Sequence, residues 1–464
     1  MANYDLTAFR GLTFHNAVPA FFDGNDTPRD YLERCLEVIN VREPVVKAFA
    51  NLNEDNARKA ADASTKRYKD GRILSTIDGL PISIKDLLET KDMPTQMGCE
   101  AYIGNFPKND NAAVWALRQA GAVVFGKTVT AELGGTHPGS TTNPFDPERT
   151  PGGSSSGSAA AVAAGMVPAA IGTQVGGSII RPAAFCGNVA LKPTQGAINR
   201  GERQATSMST HGVHANCIED MWQSAIEIAK RAGGDRGYQG LYGPDEPPAP
   251  VKPERLIVLE SAGWAELDQS SRSAFEGLLE NLQQADVTLL RRSDHVLVEA
   301  LEQKIAEAGE ICGAITRWEN RWAQQNLIAI KGEFVSDRFK ANLKLAQEMS
   351  HDDYRSALIA RDVAQNCHNT VAHLANAAIT LSCPGPAPIW AGDVQGLPLA
   401  DRPTGDAIFN YPSSMLFAPC VTMPLMSVGG LPVGAQVMGQ QHQDAEITAI
   451  SRWILNNISP VVSA

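Results

Sequence analysis

Two glycine- and serine-rich blocks carry the residues of this chain best suited to chemistry. The first is Pro151-Gly152-Gly153-Ser154-Ser155-Ser156-Gly157-Ser158, and it runs into a small-residue, alanine-rich helix. The second, Gln174-Val175-Gly176-Gly177-Ser178, places a serine after two residues with almost no side chain. Glycine admits unusual backbone angles and lets a ligand approach main-chain N–H groups closely. A hydroxyl beside unshielded N–H donors is what acyl transfer requires, because a nucleophile attacks the carbonyl while the donors receive the oxyanion.

A serine hydroxyl attacks only when a neighbouring base removes its proton. The run Asp78-Gly79-Leu80-Pro81-Ile82-Ser83-Ile84-Lys85-Asp86 reads as a buried strand ending on a lysine. Burial disfavours the ammonium and lowers its pKa from about 10.4 towards neutrality, leaving an amine able to act as that base.

These blocks, in this order, resemble the amidase signature family, whose members carry a Ser–cis-Ser–Lys triad. The family patterns DGxPxxxKD, PGGSSGGS and GTDTGGSIRxPA are similar to 78–86, 151–158 and Gly172-Thr173-Gln174-Val175-Gly176-Gly177-Ser178-Ile179-Ile180-Arg181-Pro182-Ala183. Asn143-Pro144, Cys186-Gly187, Leu191-Lys192-Pro193-Thr194 and Gly430-Leu431-Pro432-Val433-Gly434 extend the likeness over most of the chain. The resemblance implies that Ser178 is the nucleophile, Ser154 the bridging serine after a cis peptide, and Lys85 the base. Ser154 can donate and accept at once, as a proton relay must. The main-chain N–H groups of Val175, Gly176, Gly177 and Ser178 are expected to form the oxyanion hole. Ser155, Thr173, Gln174 and Arg181 are expected to support it. Two departures stand out. Gln174 replaces the family's aspartate, and the arginine is displaced by one place to Arg181.

Several elements must position these groups. Asp26-Thr27-Pro28 starts a helix over 29–40, 48–53 reads as a strand, and 55–70 as a polar helix. A helix over 111–119 and a strand over 122–125 follow, then a Gly/Pro-rich connection over 231–253. Further strands are expected at 255–260, 377–384 and 418–423, with a turn and late strand over 429–439. The alternation predicts an α/β fold, a mixed β-sheet covered by helices on both faces. No break separates two cores, so residues 1–464 are expected to form a single amidase domain. A variable helical region at about 255–350 is expected to shape the substrate pocket, with 133–142 and 311–339 as its wall.

Other motifs compete and lose. Gly121-Ala122-Val123-Val124-Phe125-Gly126-Lys127-Thr128 fits the spacing GxxxxGK[ST], but a helix precedes it and its middle is strand-like, not an exposed phosphate loop. His211 and His214 lack partners at metal-ligand spacing and read as polar loop residues. Gly153-Ser154-Ser155-Ser156-Gly157 fits GxSxG, but no downstream Asp and His pair is signalled.

The net charge of -11 argues against nucleic acid as a partner. The eight cysteines are scattered without a CxxC pair, which fits reduced thiols and neither a disulfide framework nor a zinc site. No apolar run reaches membrane-spanning length and no signal pattern opens the chain, so a soluble cytoplasmic protein is expected. No metal or organic cofactor is implied. The expected activity is hydrolysis of a carbonyl–nitrogen bond in a small amide, carbamate or hydrazide, or of an ester, through a seryl acyl-enzyme. The alternatives are a glutamine-hydrolysing amidotransferase component that works with a partner protein, and a non-catalytic scaffold. Many family members are dimers, and a homodimer is the expected assembly if this chain follows them.

Overall fold

The computed structural model describes residues 4–6, 11–202, 206–393 and 397–463. Its strands are β1 (Phe49–Leu52), β2 (Pro81–Lys85), β3 (Val123–Thr128), β4 (Ala169–Gln174), β5 (Val189–Lys192) and β6 (Thr210–Ala215). They continue with β7 (Arg255–Val258), β8 (Thr288–Leu290), β9 (Ala377–Leu381), β10 (Cys420–Val428), β11 (Leu431–Met438) and β12 (Val461–Ser463). All join one sheet in the order β1-β3-β2-β4-β6-β5-β10-β11-β9-β7-β8, with β12 beside the end of β10.

The sheet is mixed. Strands β3, β2 and β4 run parallel, as do β9, β7 and β8, while β6, β5, β10 and β11 form an antiparallel centre. Side chains alternate between the faces of a strand, and both faces here are apolar. Val124, Ile171 and Val421 enter one core with Trp222 and Phe275. Val123, Phe125 and Ala170 enter a second with Leu32 and the alanines 159–161, and Ala190 and Cys420 a third with Ile311 and Ile315. A sheet buried on both faces has near-continuous apolar strands, which is how β2, β3 and β4 read.

The helix Ser156–Ala163 is buried at all eight positions, and its small side chains let the backbone lie close to β4. It starts within the first serine block, at Ser156, so packing of this helix holds Ser154 and Ser155 at the sheet. The region expected to be helical over about 255–350 contains the helices Gln269–Gln284, Val296–Ile305, Ala308–Lys331 and Asp337–Gln347, but its first part also supplies strands β7 and β8.

His211 and His214 correct the loop reading. Both lie on β6, between β4 and β5, and are 7% and 0% exposed. Burial holds both imidazoles down to about 3, so both are neutral; His214 is sealed in the core, while His211 borders a cavity. No described helix is long and apolar enough to cross a membrane.

Candidate active site

Strand β2 delivers Lys85 to a wholly enclosed position, 0% exposed. Its Nζ lies 2.8 Å from Ser154 Oγ, 2.9 Å from Ser155 Oγ and 2.8 Å from Thr173 Oγ1. Ser155 Oγ is 3.1 Å from the Thr173 carbonyl, to which it donates, and accepts from the Thr173 N–H at 3.2 Å. A hydroxyl has one hydrogen to give, so Ser155 can only accept from the lysine. This locks the amine in place, with Ser154 Oγ and Thr173 Oγ1 as its other hydroxyl contacts. Ser155, itself 0% exposed, is unavailable as a surface nucleophile. The Gly153–Ser154 peptide is cis.

Two causes hold the Lys85 pKa well below its ordinary value: burial, then the charge of Arg181. The neighbouring carboxylate does not compensate, because Asp86 is matched to another cation. Lys127 Nζ, also enclosed, sits 2.9 Å from Asp86 Oδ1 and 2.7 Å from Thr95 Oγ1. The lysine of the Walker-like segment is therefore a buried counter-ion on β3, and the sequence around it is strand rather than phosphate loop. Asp78 anchors the other end of β2. It receives Arg67 through two contacts, at 2.5 and 2.7 Å.

The second block leaves the end of β4 as a turn, and Ser178 stands half-buried on a cavity of about 1350 Å3 that also reaches Ser154 and Thr173. The next three main-chain N–H groups are taken: Ile179 and Ile180 donate to Gln174 Oε1, and Arg181 to the Gly177 carbonyl. The N–H groups of Val175, Gly176, Gly177 and Ser178 meet no acceptor among the described residues. Neither Gly176 nor Gly177 has a positive φ. The glycines are demanded by space instead. A Cβ at Gly176 would stand 2.7 Å from the Tyr411 ring, and one at Gly177 would stand 2.5 Å from Asn410 Oδ1.

The structure thus brings Lys85, Ser154, Ser155 and Thr173 into direct contact and sets Ser178 with its free N–H groups on the same cavity. No direct Ser154–Ser178 hydrogen bond is present among the described residues, although Ser155 N–H donates to the Ser178 carbonyl at 3.3 Å. That main-chain link ties the two blocks together.

A family model for amidases matches residues 30–448. The chain belongs to the amidase family. Over its full length it is similar to the A subunit of the glutamyl-tRNA(Gln) amidotransferase of Chloroflexus aggregans, at 30% identity and covering 96% of each chain. The like-named protein of Chloroflexus aurantiacus is 45% identical over 201 residues, a match that spans 42% of this chain and 41% of that one. A solved amidase structure superposes with a TM-score of 0.82 at 28% identity, covering 97% of this chain and all of that one.

Within this chain, the two departures from the family pattern have a geometric account. Gln174 is 1% exposed. Its carbonyl oxygen receives the two N–H groups that open the helix Ile180–Cys186, and its amide nitrogen is 3.2 Å from Ser414 Oγ. A neutral amide therefore braces the loop where the family pattern has an aspartate. Arg181 makes no hydrogen bond to the Gln174 side chain among the described residues. Its Nη2 instead donates to the Gly153 carbonyl at 2.6 Å and to Thr404 Oγ1 at 3.1 Å.

The cavity wall matches the sequence expectation in part. Residues 133–136 and several residues of the helix Ala308–Lys331 line it, but 137–142 do not. Tyr411, Ala407 and the segment 199–202 also line it, without any motif to mark them in the sequence. Their loops are brought in by the order of strands, which spacing along the chain does not encode.

Proposed function

We propose that this amidase hydrolyses the carbonyl–nitrogen bond of a small amide through a seryl acyl-enzyme. The single observation that carries the reading is an enclosed lysine, shorn of a carboxylate partner, in contact with the serine beside the glycine-rich turn. In this reading neutral Lys85 accepts the proton of Ser154, which takes that of Ser178 as its Oγ bonds to the carbonyl carbon. The tetrahedral oxyanion lies against the open N–H groups of Val175, Gly176, Gly177 and Ser178. The proton returns through Ser154 to the leaving nitrogen, the C–N bond breaks, and water releases the acid by the same relay. Ser155 and Thr173 orient the lysine, and Gln174 holds the loop. Residues 1–464 act as one unit, with the helices between 255 and 350 shaping the pocket.

The full-length likeness to an amidotransferase component supports a second reading, in which the ammonia released from glutamine passes to a partner protein. Ammonia release by the purified chain from a panel of primary amides, with Ser178→Ala as control, separates the two. Turnover of simple amides by the isolated chain, lost in Ser178→Ala, supports the first. Turnover of glutamine only, and only with a partner protein present, supports the other.

A further inference from the structure

We propose that Ser414 is a positioning residue of the oxyanion hole, whose hydroxyl turns the Gly177 N–H towards the attacked carbonyl. This rests on the hydrolase reading above and adds a residue to its machinery. Ser414 belongs to the short helix Tyr411–Met415, is 2% exposed, and stands behind the glycine-rich turn rather than on the cavity. A helical serine commonly spends its hydroxyl on its own helix, at a carbonyl three or four residues earlier. Ser413 does so, donating to the Asn410 carbonyl at 2.9 Å. Ser414 instead donates to the Gly176 carbonyl at 2.9 Å, 238 residues away in the chain. Tyr411, three residues earlier, shares that face of the helix. Its ring lines the cavity and packs against the same glycine.

Peptide geometry converts that grip into a direction for a donor. The cis bond among the described residues is Gly153–Ser154, so the Gly176–Gly177 peptide is trans. In a planar trans peptide the carbonyl and the following N–H point opposite ways. The Gly176 carbonyl is drawn back to a buried hydroxyl, so the Gly177 N–H points out to the cavity that Gly177 lines. The next peptide is fixed likewise. The Gly177 carbonyl accepts from the Arg181 N–H at 2.9 Å, which turns out the Ser178 N–H. That second anchor is main chain, and almost any residue at 181 would supply it. The first depends on one side chain.

Gln174 settles which way the Ser414 hydrogen points. The end of its amide that receives the Ile179 and Ile180 N–H groups must be oxygen, so the end facing Ser414 Oγ, at 3.2 Å, is nitrogen and only donates. Ser414 accepts there, and its single hydrogen is left for Gly176. One glutamine and one serine therefore clamp the turn at both ends, with the carbonyl that aims the Gly177 N–H between them.

The test uses the full chain with a primary amide turned over in the panel above and the thioamide of the same acid. Sulfur accepts hydrogen bonds more weakly than oxygen, so an ordered oxyanion hole favours the amide. Ser414→Ala should lower kcat by about tenfold or more with little change in KM, and should lower the amide-to-thioamide ratio of kcat/KM severalfold. The ratio is read within each protein, so a general loss of activity does not mimic the effect. Ser414→Thr keeps the hydroxyl and should restore both values. Phosphonylation of Ser178 by a fluorophosphonate is the second arm, because the phosphoryl oxygen takes the oxyanion's place; it should slow by about tenfold in Ser414→Ala. If Ser414→Ala does not fold, Ser414→Cys, similar in volume and a weak donor, replaces it with the same expectations. A folded Ser414→Ala or Ser414→Cys with the wild-type ratio and labelling rate overturns the positioning role and leaves the hydrolase reading intact. A wild type that turns over no amide and takes no phosphonate on Ser178 sinks the hydrolase reading itself, and the positioning role with it.

Discussion

An amine sealed from water is poor as a cation and serviceable as a base, and Lys85 is sealed completely. Its folded pKa lies below its ordinary 10.5, so the unfolded chain binds a proton that the folded chain refuses. Lys85 therefore favours the folded state least at low pH: stability attributable to it rises with pH between the lowered value and 10.5. Activity should share that direction, falling as pH drops through the lowered value. Lys85→Ala should reduce kcat by about 10²–10⁴-fold with a much smaller change in KM. A steady-state pH series checks both, and a flat profile into mild acid or near-normal turnover in the variant contradicts the assignment. Gln174 gives a second residue-scale prediction. Gln174→Asp buries a charge beside Ile180, where no arginine answers it, and loses the amide's link to Ser414. The expected cost is about 1–3 kcal/mol in urea unfolding, with kcat lowered as the loop shifts; unchanged stability and activity would make the residue incidental. The types of both residues were legible in the sequence. The route taken by Arg181 was not, because side-chain direction across a turn depends on Gly153 and Thr404, which chain spacing does not bring together.

At the scale of elements, β2 and β3 work as a pair. Strand β2 brings Lys85 to the serines, and β3 brings Lys127 to Asp86, so the carboxylate next to Lys85 is satisfied without charging it. Lys127→Met should leave Asp86 buried and unpaired, costing about 3–5 kcal/mol by denaturant unfolding. ATP with magnesium should leave the melting temperature unchanged, since only a ligand of the native state raises it. A concentration-dependent rise, or a variant as stable as the parent, contradicts the structural reading of this strand. The strand character of 122–128 was legible because a helix precedes it and its apolar run is continuous. Strand β6 was not. Thr210-His211-Gly212-Val213-His214 carries polar residues and a glycine, and reads as a loop until its place between β4 and β5 supplies the ladder. There burial neutralises both histidines, so tertiary context overrides local propensity.

For the whole molecule, one mixed sheet gathers residues from most of the sequence around a single cavity, and the family match runs from 30 to 448. The mixed sheet with helices on both faces was legible from the alternation of elements. The full set of cavity-lining loops was not, because strand order is set by long-range packing. Wall residues such as Tyr411 and Arg317 are likewise announced by no motif. Ser178 as the group that becomes acylated is tested by a fluorophosphonate probe on the intact chain. The adduct mass should appear on the peptide containing Ser178, and labelling should fall sharply in Lys85→Ala because the hydroxyl loses its base. Labelling of Ser154 or Ser155 in preference, or labelling of Ser178 undiminished without Lys85, would rule out Ser178 as a lysine-activated nucleophile.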